Sequence, residues 1–423
     1  MLDIKLIREN PDLVRNNLKR RNNPEKIKML DELIAVDKEW RGNVSEANDL
    51  RKRRNDVSKD IAAMKKEGKD ITGVVKEAAE LPKKIKELEE LMTQQDERIK
   101  YLLLKIPNLL DDSVPVGKDE TENVQLRVVG KKPKFMFEPK NHLEIAQNLG
   151  LIDEERAAKV AGRGFFYLKG DLARLDMAIQ RYALDVLAKQ GFTIIEPPLM
   201  LREEIFKLVT DWDTFTTQAY KIEGEDLRLI GTAEHPVAAM YKDEVLQKDD
   251  MPILVAGVSP CFREEVGAHG KYTKGLFRMH HFNKVEQFVF CSPEDSWKWH
   301  EKLQANSEKL IKGLGLHYRV VNVCTGDIGD LAAKKYDTEI WMADGNFREV
   351  GSNSNCTDYQ ARRLNIKYTE KAGAPPEGFV HTLNNTGLAT SRVMIAILEQ
   401  FQQKNGHVKI PKVLVPYMGV KSL

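Results

Sequence analysis

Residues 28–106 carry the pattern that most limits what this chain can build: two apolar seams, each repeating every seven residues. Leu33, Trp40, Ala47, Arg54 and Ile61 form one line of the first seam, and Val36, Asn43, Leu50, Val57 and Met64 the other. The stretch Lys66 to Asp70, with a glycine at its centre, breaks the pattern. It then resumes with Ile71, Ala78, Ile85, Met92, Ile99 and Ile106, flanked by Val74, Leu81, Leu88, Gln95 and Leu102. A seven-residue repeat buries a narrow stripe of one helix against another. Two matched seams joined by a turn therefore predict an antiparallel helical hairpin. At 1.5 Å per residue each helix should reach roughly 50 Å, and an arm with so little core of its own projects from a body. Pro82 lies inside the second helix and should kink it or reset its hydrogen bonds locally.

Between Lys28 and Lys105 the arm holds 18 basic and 17 acidic residues, so solvated coiled-coil faces account for most of its charge. Three clusters stand apart: Arg51-Lys52-Arg53-Arg54, then Lys65, Lys66 and Lys69 near the tip, and Lys83, Lys84 and Lys86. They are either further solvated surface or contacts to a polyanion, which would give salt-dependent affinity without reading sequence. Arg54 at a seam position weakens the pairing unless its head escapes to water. The formal net charge is only +2, so any nucleic-acid partner must be held by a local patch.

The four cysteines, Cys261, Cys291, Cys324 and Cys356, are spread singly. That argues against a disulfide framework or a cysteine zinc cluster and fits a reducing compartment. The opening MLDIKLIRENPD is charged and has no apolar signal core. No apolar run approaches the roughly 18 residues of a membrane span. A cytoplasmic protein with no membrane association is expected. In 423 residues there is room for two or three domains. Residues 1–107 read as a helical arm domain that begins with a short helix around Pro11, and 108–140 as a polar linker leading into a strand at 125–129. Residues 141–423 read as the body.

The body is organised around Cys261 to Phe290, a strand, a basic loop with Gly267, Gly270, Lys271, Lys274 and Gly275, and a returning strand. Side chains alternate along a strand. Arg263 and Glu265 should then share one face of the outgoing strand, and Arg278, Phe282 and Glu286 one face of the returning strand. Glu286 sits in Val-Glu-Gln-Phe-Val-Phe, a run apolar enough to be buried. A buried carboxylate is costly without partners, so it is paired, protonated or waiting for a cationic ligand. In LIGTAEHPVAAM a short strand turns at Gly231 and presents Thr232 and Glu234 at the mouth of a helix, where capping alone would also explain them. Glu349 precedes a Gly/Ser/Asn run suited to phosphate or a hydrated cation. Arg392 is the single cation in an apolar helix from Leu388 to Phe401, either in a structural ion pair or facing an anionic ligand.

Together the FREE segment with its GLFRMHHFNKVEQF return, the TAE turn, REVGSNSNCTDYQARR and NNTGLATSR resemble the seryl-tRNA synthetase family of class II, in its common form with an N-terminal coiled-coil arm. The resemblance spans essentially the full chain. It implies an α+β fold, in which the helical hairpin is joined to an antiparallel β-sheet flanked by helices, and a homodimer facing its partner with the helix from Asp171 and the strand ending at Pro197-Pro198. It implies activation of L-serine by ATP with Mg2+, then transfer to the 3′ end of serine tRNA, and of selenocysteine tRNA where present. Zinc is not expected.

By the same resemblance Arg263 and Arg392 are the catalytic cations. ATP would meet Arg263, Glu264, Glu265, Arg278, Met279, Phe282, Glu349, Val350, Gly351, Ser352 and Arg392, with Phe282 and Arg392 sandwiching adenine for about 1 kcal/mol each. Serine would meet Thr232, Ala233, Glu234, Arg263, Glu286, Asn384 and Thr386. Glu349 and Ser352 would hold magnesium. Arg51, Lys52, Arg53, Arg54, Lys65 and Lys66 would touch tRNA, and the basic loop would act as a lid. The chain departs from many relatives at Gly351 and Asn353, where Ser and Cys are common, and at Asn384-Asn385-Thr386-Gly387, commonly Asn-Gly-Ser-Gly. Glu-His-Pro after Thr232-Ala233 resembles archaeal-type sequences. Alternatives are a class II paralogue that loads a carrier protein, which typically lacks the arm, and a catalytically silent RNA-binding homologue, which should have lost Arg263, Glu286, Glu349 or Arg392.

Overall fold

A proline at the first helical position loses no hydrogen bond, because its missing N–H has no intrahelical acceptor. Two of the N-terminal helices begin this way in the computed structural model, which describes residues 1–211, 218–265 and 275–423. The described residues divide into two compact units, Met1–Pro107 and Asn108–Leu423. In the first, α1 (Ile4–Glu9) and α2 (Pro11–Arg20) replace the single short helix expected around Pro11, since Pro11 starts a helix here. The long pair follows as α3 (Pro24–Lys66) and α4 (Thr72–Lys105). With 43 residues α3 reaches about 65 Å. It exceeds the expected length because it begins at Pro24, capped by the Asn23 side chain on Lys26 N at 3.1 Å, well before the first seam residue. Helix α4 runs unbroken through Pro82, whose ring is exposed.

The seams close as their period predicts. Leu33, Ala47, Val57, Leu81, Ile85 and Ile99 are buried. Asn43 and Gln95, both at seam positions, meet across the pair with Asn43 Nδ2 donating to Gln95 Oε1 at 2.9 Å. One polar pair in an apolar seam fixes register, because any slip leaves both amides without partners. Charges cross the pair as well: Arg51 meets Glu89 at 2.7 Å, Arg53 meets Glu77 at 2.7 Å and Arg98 meets Glu32 at 2.6 Å. Arg54 does turn its head to solvent.

The second unit is built on an eight-stranded sheet. Its strands are β1 (Val124–Val129), β2 (Thr193–Ile195), β3 (Ile253–Phe262), β4 (His281–Cys291), β5 (Tyr318–Asn322), β6 (Lys334–Trp341), β7 (Phe347–Asn355) and β8 (His381–Ala389), in the spatial order β1-β5-β6-β7-β8-β4-β3-β2. Every pairing is antiparallel except that of the edge strand β2 with β3. The segment 108–140, expected as a linker, is integrated into this unit. Asn108 Nδ2 donates to Leu331 O at 3.0 Å and Cys356 O at 2.9 Å, and β1 completes one sheet edge against β5. A polar composition hid these ties because they are made by main chain and amides rather than by an apolar stripe.

Helices α5 (Asp171–Ala188), α6 (Glu234–Ala238), α7 (Ser296–Leu314), α8 (Tyr359–Leu364) and α9 (Thr390–Gln400) cover the sheet. Leu172, Leu175, Ile179 and Leu187 of α5 join Val393, Ile397 and Leu398 of α9 in the main apolar core. Helix α7 lies along β7 and β8 over a layer of buried amides and hydroxyls. There Gln304 donates to Thr338 at 3.0 Å, Gln287 to Ser307 at 3.0 Å, and Asn385 to Leu303 O at 2.7 Å. Because these donors are each tied to a specific neighbour, that layer holds β8 rigid beneath the site.

Candidate active site

The hairpin of β3 and β4 pairs without interruption from Ile253 opposite Phe290 to Phe262 opposite His281. Arg263, Glu265 and Arg278 were expected on strand faces, yet all three lie beyond the ladder. One backbone bond, Arg263 N to His280 O at 3.0 Å, extends the pairing. Glu265 then takes φ 49°, which turns the chain off the strand line, and a turn of 3-10 helix at Gly275–Phe277 delays β4 until His281. The expected lid, with Gly267, Gly270, Lys271 and Lys274, falls in 266–274, outside the described residues.

Where the hairpin leaves the sheet a cleft of about 540 Å³, including its open mouth, is lined by thirteen residues that include Arg263, Glu265, Met279, Phe282, Glu349, Val350, Gly351, Thr386 and Arg392. The sequence also nominated Glu264 and Ser352, which lie off the lining, and Arg278, also off it, which meets the lining residue Glu265 at 3.2 Å. Each cleft arginine covers an aromatic face. The Arg263 guanidinium lies 5.4 Å from the Phe282 ring centre and donates twice to Gly231 O, both at 3.3 Å. Arg392, in the first turn of α9, lies 5.0 Å from the Phe277 ring centre. It also donates to Glu349 O at 2.7 Å and sits 3.6 Å from the Glu349 carboxylate. The helix expected from Leu388 starts at Thr390, because Leu388 and Ala389 still belong to β8.

Glu349 faces three cations. Its surroundings push the carboxyl upward, but Arg392, Lys335 and Arg263 outweigh that and hold it down to about 2. Asp337, beside it, goes the other way: burial raises it, Lys335 at 3.3 Å pulls it back, and the Glu349 charge raises it again. Ser352 joins the two acids, with its hydroxyl 2.5 Å from Asp337 Oδ1 and 3.4 Å from Glu349 Oε1.

A second group of acids lies deeper. Glu286 is 2% exposed, and Lys284 Nζ stands 2.6 Å from its Oε2. Of the three fates open to it, pairing is realised, and burial still pushes its carboxyl up against the pull of Lys284, Arg263 and the Thr386 hydroxyl. Glu234 opens α6 and accepts from Asn384 Nδ2 at 3.0 Å and Gln360 Nε2 at 3.3 Å. Burial first, and the Glu286 charge second, push it up to about 7. Thr232 Oγ1 accepts from Glu234 N at 3.2 Å, one residue ahead of the N-cap, which is Ala233 and has no side-chain cap bond, so Thr232 does not take the N-cap position expected of it. Ala233 is buried beneath, and a Cβ at Gly257, the partner of Glu286 on β3, would stand 2.8 Å from Ala233 Cβ. Glycine there lets β3 approach the turn that carries Glu234.

Lys284 and Phe277 line the cleft and were not nominated. Alternation along β4 could have found Lys284, two residues from both Phe282 and Glu286. No local signal marks Lys335 and Asp337, which reach the site only because β6 pairs β7. Asn353, one of the departures, donates to His300 O at 2.9 Å inside the buried amide layer and is structural.

This geometry has close counterparts. Residues 215–401 match the tRNA synthetase class II core domain (G, H, P, S and T), and residues 1–110 match the seryl-tRNA synthetase N-terminal domain. The serine–tRNA ligase of Methanocella arvoryzae is 52% identical over 420 residues, covering 99% of both chains. That of Methanospirillum hungatei is 52% identical over 422 residues, covering 100% of this chain and 99% of the other. The crystal structure of seryl-tRNA synthetase from Pyrococcus horikoshii complexed with ATP superposes with a TM-score of 0.96 at 47% identity, covering 100% of this chain and 99% of that one. The chain belongs to the seryl-tRNA synthetases.

Proposed function

We propose that this chain activates L-serine with ATP and transfers the seryl group to the 3′ end of serine tRNA, and of selenocysteine tRNA where present. The observation that carries this reading is the junction of two chemically distinct spaces. A cleft with cations stacked on aromatic faces opens onto buried acids, and Lys284 and Thr386 lie at the join.

In the first step a carboxylate oxygen of serine attacks the α-phosphorus of ATP. The new P–O bond forms as the bond to the β-phosphate bridge breaks, and pyrophosphate leaves with its electron pair. Two anions must meet, so the site has to supply positive charge where the transition state gathers negative charge. Arg263 fits the α-phosphate, since its planar fork can bind two oxygens at once. Phe282, Phe277 and Arg392 offer flat faces to the base, and Glu265, with Arg278 beside it, offers an acceptor to its edge. The deep acids suit the ammonium and hydroxyl of serine: Glu286 and Glu234 supply negative charge, while Thr232, Asn384 and Thr386 supply oriented polar groups. A pocket built to bond a hydroxyl rejects alanine by leaving those groups unpaired, and rejects threonine for want of room. In the second step a terminal ribose hydroxyl of tRNA attacks the activated carbonyl and AMP leaves.

Glu349 and Ser352, with Asp337 adjoining, present hard oxygen donors within hydrogen-bonding distance of one another. That donor set fits Mg2+, which takes one or two carboxylates and completes its shell with phosphate and water. When bound it would neutralise charge on the departing pyrophosphate.

On the arm, Arg51 and Arg53 are engaged by Glu89 and Glu77. Lys52, Arg54, Lys65 and Lys66 are exposed and carry no ion pair among the described residues, which supports tRNA backbone contact there. Exposed Met177 on α5 and Ile194 on the edge strand β2 support a homodimer built on that face. No helix among the described residues is long and apolar enough to cross a membrane. The test is charging of total tRNA with labelled serine, by the full chain and by a variant lacking residues 28–106. The full chain should charge, and the variant should lose charging while keeping serine-dependent pyrophosphate exchange. Unchanged charging by the variant would remove the arm from tRNA recognition.

A further inference from the structure

We infer that Gly351 is a positioning residue for the serine pocket: by leaving out a side chain, it seats Thr386 so that the Thr386 hydroxyl is aimed at Glu286. The inference rests on the reading that this pocket takes serine.

The ladder between β7 and β8 holds from Asn355 opposite Leu383 to Asn353 opposite Asn385 and then opens, with Gly351 and Thr386 lining the cleft beyond it. Each strand carries an irregularity at this point. The β6–β7 register shifts between Thr338 and Glu339, leaving Val350 as the extra residue, and the β8–β4 register shifts between Thr386 and Leu388, leaving Gly387. Such bulges re-aim the side chains next to them. A Cβ on Gly351 would stand 2.9 Å from Thr386 Cβ and 3.3 Å from its methyl carbon. Gly351 is not among the glycines of positive φ, so its backbone does not demand glycine. What demands it is space, and Thr386 fills that space.

Thr386 cannot readily retreat. Ser307 Oγ donates to Thr386 O at 2.7 Å, and Gln287 Nε2 holds that hydroxyl from behind at 3.0 Å. A β-branched side chain has few rotamers to choose from. With Thr386 packed over Gly351, its hydroxyl is left on the face it shares with Glu286, its direct partner across β8 and β4. The tightest approach is to the Thr386 Cβ, with the methyl next, so Gly351 leaves room for the whole side chain at 386.

The experiment is a double-mutant cycle on Gly351→Ala and Thr386→Ser, read by serine-dependent ATP–pyrophosphate exchange with separate KM values for serine and ATP and with melting temperatures. Gly351→Ala alone should raise the serine KM at least tenfold and by more than it raises the ATP KM. Thr386→Ser alone should raise the serine KM about threefold. The double variant should be less impaired than the product of the two singles, because the methyl contact at 3.3 Å is gone while the Cβ contact at 2.9 Å stays. A double variant as impaired as the product of the two singles, or a Gly351→Ala effect confined to ATP, overturns the inference. Should Gly351→Ala fail to fold, Thr386→Val carries the test. A serine KM raised tenfold at unchanged melting temperature supports the inference, and an unchanged KM overturns it. Absence of serine-dependent exchange in the wild type would instead refute the proposed function.

Discussion

Glu234 makes a case in which function and stability pull apart. Its folded-state carboxyl sits at about 7 because burial and the Glu286 charge oppose ionisation. The ordinary value is 4.5, so between these pH values the folded protein binds more protons than the unfolded chain. Stability therefore falls as pH rises through that window and is level above it. At about 1.4 kcal/mol per unit, keeping Glu234 ionised at pH 8 costs the unliganded fold on the order of 3 kcal/mol. Glu234→Gln removes the charge but keeps an oxygen to accept from Asn384 and Gln360. Near pH 5 the variant should melt close to wild type, and at pH 8 it should melt a few degrees higher. The serine KM should rise at least tenfold, since an anion facing the substrate ammonium is gone. In the wild type the serine KM should itself climb as pH falls below 7, where Glu234 takes up its proton. Thermal unfolding followed by circular dichroism at the two pH values, with exchange assays beside it, checks this. A variant whose melting temperature tracks wild type at both pH values would refute the reasoning.

Arg263→Lys should lower exchange kcat about 100-fold with the fold intact, because a point charge cannot reproduce the bidentate fork or the stacking on Phe282; activity within a few-fold of wild type would rule out the α-phosphate role. On the arm, charge reversal at Lys52, Arg54, Lys65 and Lys66 should weaken tRNA binding and reduce its salt slope by about one for each phosphate no longer neutralised. Reversal at Arg51 and Arg53, already engaged by acids, should weaken binding less, and filter binding across a salt series separates the two sets.

The arm was legible because helix pairing is a local, periodic signal: a seven-residue count placed even Asn43 and Gln95 on the seam where they meet. Glu286 was legible for a similar reason, since its apolar neighbours announced burial before any partner was known. The rest depended on geometry that no local pattern carries. Glu265 and Arg278 lie off the strand line, because a positive φ turns the chain at Glu265 and a 3-10 turn at Gly275–Phe277 precedes Arg278. Lys335 and Asp337 arrive through the register of β6 on β7. The segment 108–140 looked like a tether because its anchors are amides such as Asn108, which composition counts as solvent-facing.

The central claim is that the buried acids and the arginine cleft together activate serine. Pyrophosphate exchange, measured with serine and with each other standard amino acid, for wild type and for Glu286→Ala side by side, tests it most directly. Wild type should exchange with serine far above threonine and alanine, and the variant should lose that exchange while keeping its melting temperature. Exchange driven equally by another amino acid, or a fully active Glu286→Ala, would contradict the account.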